Sequence, residues 1–185
     1  MALRRLLPVA AVFVLTAPSA LWAATARTQN FVVEAPTQEV AQQIAQHAEH
    51  YRKEKAQLWL GREMPAWGRP LPVKVTVTLS GAGGATTFAF DNGRILDQNM
   101  HIEGSLDRLL ASVLPHEVTH TVFAYHFRCP VPRWADEGGS VLSEDELERN
   151  RHDLMCRQYL NSGRAIPLRR LFALRDYPQE VMALY

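Results

Sequence analysis

The spacing of apolar residues changes along the chain, and each change marks an element. Residues 31–35 (Phe-Val-Val-Glu-Ala) form a short β-prone run stopped by Pro36. From Thr37 the spacing turns helical: Val40, Ala41, Ile44, Ala48 and Tyr51 share one face, Thr37 is a capping residue, and Gly61 ends the helix after Leu60. A Pro/Trp/Gly-rich turn over 65–72 leads to 73–79, where alternating β-branched residues predict a strand. Residues 81–84 read as a flexible loop and 86–90 as an extended segment. Asp91-Asn92-Gly93 is a hairpin turn signal, and 94–103 is the returning segment.

The second half of the chain is helical in period. Gly104-Ser105 opens a helix whose Leu106, Leu109, Leu110 and Val113 supply a buried face, and Pro115 predicts a bend by removing a backbone hydrogen bond. Another helix is expected from about Trp134. Ser143 and Glu146 form a capping box for one that ends near Gly163. Pro178 fits the first turn of a last helix, still running at Tyr185 without a cap, which points to a truncated sequence. Strands first and helices after predict an α+β domain with a small mixed sheet.

Composition narrows the picture. A chain of 185 residues with 47% hydrophobic content makes one domain and not two. A net charge of +1 gives no reason to expect nucleic acid or an anionic membrane as partner, so function is to be sought in a local site. Residues 1–26 read as an export signal: Arg4-Arg5, an apolar stretch over 6–16, then Ala24-Thr25-Ala26 as a small-x-small cleavage site, with Ala23 an equally usable end. That apolar stretch is far shorter than the ~20 residues of a membrane span, so no stable span is expected. The mature domain is then 27–185, periplasmic or extracellular. In that compartment Cys129 and Cys156 are expected to form an intrachain disulfide.

The chemistry concentrates in His116-Glu117-Val118-Thr119-His120. On a helix, positions i and i+4 lie one above the other, so His116 and His120 can converge on one ion. Glu117 sits about 60° around the axis from His120, outside that ligand pair yet close enough to reach a bound water. After a short turn comes Arg133-Trp134-Ala135-Asp136-Glu137-Gly138. A helix there can fold back and present Glu137, or its rival Asp136, as a third ligand. Two imidazoles, one carboxylate and an open position make a catalytic zinc arrangement. Phe123, Phe127 and Trp134 are expected to pack the junction of the two helices.

His-Glu-x-x-His followed by Trp-x-x-Glu-Gly resembles the gluzincins, the thermolysin-like and aminopeptidase-like metallopeptidases, over roughly residues 73–145. The resemblance implies a zincin-like fold, one zinc ion on His116, His120 and Glu137, and Glu117 as general base of peptide-bond hydrolysis. It thereby favours Glu137 over Asp136 and implies a peptide or protein substrate. It also implies an edge strand before the motif helix, for which 95–102 is the counterpart by position, and a downstream transition-state donor, for which Tyr177 and Tyr185 are candidates. Ser140 and Glu144, at i+3 and i+7 from Glu137, are placed to orient an imidazole. The competing expectation is a zinc-binding interaction domain without catalysis, against which the presence of Glu117 argues.

Overall fold

The structure, a computed structural model, describes residues 23–175. It is a mixed α/β fold in which a five-stranded sheet is covered on one face by helices. The strands are β1 (Ala24–Arg27), β2 (Phe31–Ala35), β3 (Leu71–Val77), β4 (Ala82–Asp91) and β5 (Arg94–Gly104), in the order β1-β2-β3-β5-β4. The outer pairs β1/β2 and β4/β5 are antiparallel, while β2/β3 and β3/β5 are parallel. The parallel pairs require crossovers, and α1 (Gln38–Leu60) is the first of them.

That helix lies where its period predicts it. Thr37 Oγ1 accepts from the Val40 amide at 3.2 Å, and the chain leaves the helix at Gly61. Its Ala41, Ile44 and Ala48 pack on Phe31, Val33, Leu71, Val73, Met100 and Ile102, the inward residues of the sheet. In β2, β3 and the second half of β5 buried residues therefore alternate with others; Glu34, Lys74, Asn99 and His101 are among these and face solvent.

The motif-bearing helix is a composite. α2 (Leu106–Arg108) continues into a π-turn (Leu109–Val113), which hands over to α3 (Leu114–Phe127) with Pro115 in its first turn. The expected irregularity thus sits just before the proline, where the ring denies an amide donor to the preceding turn. Tyr51 of α1 donates to the Leu110 carbonyl at 2.7 Å, satisfying one acceptor of that wide turn. Leu114, Val118 and Val122 anchor α3 in the core. Then follow α4 (Arg133–Val141), α5 (Glu146–Asn161) and α6 (Leu168–Ala173).

Several expectations are corrected. The run 81–84 is no loop: residues 82–84 belong to β4, which holds the sheet edge, whereas 95–102 lies inside it, between β3 and β4. The hairpin is as expected, but β3 pairs with its second arm. The cap of α5 is Asp145, whose side chain accepts from the Glu148 amide; Ser143 is committed elsewhere, to Trp59 and Gly139. Cys129 and Cys156 are both exposed and no disulfide joins them: one lies in the turn after α3, the other midway along α5, which rests on α4. Of the three aromatics, Phe123 is buried at the α3–α4 junction, while Phe127 and Trp134 are exposed and Trp134 packs on Phe172 of α6. Residues 1–22 of the expected export signal, and the helix expected from Pro178 with Tyr177 and Tyr185, lie outside the described residues. No helix of the described residues is long and apolar enough to cross a membrane.

Candidate metal centre

α3 and α4 meet through the smallest possible contact. A Cβ on Gly139 would come within 2.7 Å of the Phe123 ring, so glycine is what lets α4 lie against α3. Trp59 Nε1 donates to Ser143 Oγ at 2.9 Å, and Ser143 in turn donates to the Gly139 carbonyl at 2.8 Å, pinning the end of α4 to α1. Pro130 and Pro132 shape the short turn between the helices, so α4 folds back at once.

This packing brings His116, His120 and Glu137 together. Glu137 Oε2 lies 3.6 Å from His116 Nε2 and 3.7 Å from His120 Nε2. All three side chains are buried, Glu137 to 1% exposure. A carboxylate that deep costs several kcal/mol unless positive charge faces it. Tetrahedral ligands at bonds of about 2.0–2.2 Å stand roughly 3.3–3.6 Å apart. The three donor atoms have the spacing and the chemistry for one such ion, so the residues present fit it.

Behind each imidazole stands a second carboxylate. His116 Nδ1 bonds Glu144 Oε1 at 2.7 Å, and Ser112 Oγ donates to the other oxygen of Glu144 at 2.9 Å. His120 Nδ1 bonds Asp136 Oδ1 at 2.8 Å, with Ser140 Oγ at 3.2 Å. These contacts turn both Nε2 atoms toward Glu137. Asp136, weighed against Glu137 as a ligand, lies on the far side of the His120 ring instead. Neighbours on a helix diverge by about 100°, so the two acids cannot face the same point.

The electrostatics follow from this crowding. Burial pulls the His116 imidazole down, yet hydrogen bonds to Glu137 and Glu144 and the nearby Glu117 charge outweigh it and raise the pKa to about 9. His120 is likewise raised against its burial by Asp136 and Glu117. Burial pushes Glu144 up, but hydrogen bonds from His116, His152 and Ser112 bring it down to about 2. The centre is built to hold positive charge between its carboxylates.

Glu117 projects from the same turn of α3 toward β4. Thr86 Oγ1 donates to Glu117 Oε2 at 2.6 Å, and a Cβ on Gly84 would meet Glu117 Oε1 at 2.7 Å, so the edge strand lies directly against this carboxylate. Thr86, Phe88 and Phe90 face a cleft of about 420 Å³, opposite Val131 and the two imidazoles. Sequence reasoning missed Thr86 altogether, since nothing in its neighbourhood points to a partner 31 residues away. Comparison with protein-family models, curated proteins and solved structures finds no match.

Proposed function

We propose that this chain is a zinc-dependent hydrolase of peptide bonds with a zincin-like fold, of the gluzincin kind. One observation carries the reading: two imidazole nitrogens and a buried carboxylate oxygen face one point at ligand spacing, and a further buried carboxylate, Glu117, borders the same cleft. His116, His120 and Glu137 would hold the ion. When bound, it supplies a Lewis acid and lowers the pKa of water from 15.7 toward about 7.

The chain's own residues do the rest. Glu117 takes the proton of the attacking water and delivers it to the leaving amine. Thr86 ties up Oε2 and leaves Oε1 for that water. The edge of β4 offers backbone donors and acceptors to an extended substrate, the role the sequence had suggested for 95–102. Phe88, Phe90 and Val131 provide apolar wall for its side chains. Glu144 and Asp136 keep the imidazoles in the orientation that presents Nε2.

Glu117→Gln is the test. The variant keeps one zinc per chain by elemental analysis, while hydrolysis of an unbiased peptide mixture, followed by mass spectrometry, is lost. Equal hydrolysis by both proteins, or none by either at full zinc occupancy, leaves only a zinc-binding domain. Export belongs to the same reading. Cleavage after Ala23 leaves β1 whole, whereas cleavage after Ala26 removes all of it but Arg27.

A further inference from the structure

Beyond the cleft lies a second concavity of about 920 Å³ with a different character. Its floor is Trp67 stacked on Tyr125, with ring centroids 4.5 Å apart and planes 9° from parallel. Arg62 and Arg69 come from the loop after α1, Arg94 from the first residue of β5, and Arg128 from the end of α3; Glu63 is the single acid in the lining. Arg69 is braced by the Ile95 and Leu96 carbonyls, at 3.3 and 2.6 Å. Arg62, Arg94 and Arg128 are exposed. In a chain of net charge +1, four guanidinium groups from three separate segments around one hollow are a local excess.

Both walls of the cleft lead to this hollow. Along α3, Ala124 lines the cleft and Tyr125, His126 and Arg128 line the hollow; along β4, Phe90 lines the cleft, and past the turn Gly93 and Arg94 line the hollow. From His120 to Arg128 is about 12 Å of helix, and from Thr86 to Asp91, the register partner of Arg94, about 17 Å of strand. An extended peptide covers those distances in about four to five residues.

We infer that the basic hollow beside the hairpin turn is an exosite for acidic side chains of the substrate, about four to five residues to one side of the bond that is cut. The inference rests on the hydrolase reading and names its substrate class: peptides with an acidic run displaced from the scissile bond. The site reads charge in solvent, so it acts chiefly on KM and association and weakens with salt.

The experiment uses three peptides with one uncharged cleavable core: unextended, with three Asp starting four residues to the N-terminal side, and with the same run on the C-terminal side. One extension raises kcat/KM about tenfold over the core through KM, and 0.5 M NaCl abolishes the gain. In Arg62→Glu/Arg94→Glu the ratio of extended to core peptide falls to about one or below; each protein is its own reference, so loss of folded material cancels. Equal kcat/KM for all three peptides, or a preference that survives the double substitution, overturns the exosite and leaves the hydrolase standing. Fluorescence anisotropy of the labelled acidic peptide on Glu117→Gln protein separates the opposite case. Arginine-dependent binding without hydrolysis by the wild type keeps the exosite and ends the enzyme reading, whereas binding no tighter than that of an oligonucleotide of equal charge removes the peptide specificity.

Discussion

Replacing Gly84 by alanine tests whether Glu117 must be held against the edge strand. The added methyl would lie 2.7, 2.8 and 2.9 Å from Oε1, Cγ and Cδ of Glu117, against 3.4 Å where ordinary contact begins. Strand and carboxylate must therefore part by roughly 0.7 Å, and the 2.6 Å bond from Thr86 cannot survive at its present length. Glu117 is only 3% exposed and borders the cleft, so any movement that relieves the clash displaces the carboxylate from its present seat. Loss of a hydrogen bond to a buried charged group costs about 1.5–3 kcal/mol, read as a lower urea midpoint. A base misplaced by nearly 1 Å costs on the order of 100-fold in kcat. The three atoms nearest the new methyl all belong to Glu117, so zinc stoichiometry and affinity are expected to stay as they are. Steady-state kinetics on one good peptide, zinc competition against a chromogenic chelator, and urea unfolding give the three numbers. A kcat within twofold of wild type would refute the claim that β4 positions the base; a lost zinc site would show that the damage spreads beyond it.

The remaining predictions concern the ion and the start of the chain. Glu144→Ala frees the His116 ring and lowers zinc affinity about 10–100-fold, measured by chelator competition, with Glu117 untouched. Because His116 is raised to about 9, it carries a proton at pH 7.5 that an incoming ion must displace. Calorimetry in two buffers of different ionisation enthalpy should then find about one proton released per zinc from this group. The released fraction declines as pH rises through about 9, and zinc affinity falls as pH drops below that point; binding with no proton release contradicts the assignment of His116. Amino-terminal sequencing of exported protein should begin at Ala24, and a start at Arg27 would mean that β1 is dispensable.

Much of this was legible because the signals were local. The period and the Thr37 cap mark α1, Asp91-Asn92-Gly93 marks the hairpin, and the four-residue spacing puts His116 and His120 on one face. Glu144 could be singled out seven residues from Glu137, although not which ring it would hold. What escaped depends on partners remote in sequence. Which arm of the hairpin takes the edge is decided by β3, more than 20 residues earlier in the chain, pairing with β5. Ser143 has the residue type of a helix cap but is drawn away by Trp59, 84 positions back, and Asp145 takes the cap.

Gly83 and Gly84 carry the lesson furthest. Their weak strand propensity predicts a loop, and taken alone that reading is sound. A larger residue at 84 would strike Glu117, so the strand keeps glycine where the carboxylate needs room. The local penalty in β4 and the close seat for the proposed base are one fact seen from two ends of the same contact. A departure from local propensity at that position is therefore itself a pointer to the site.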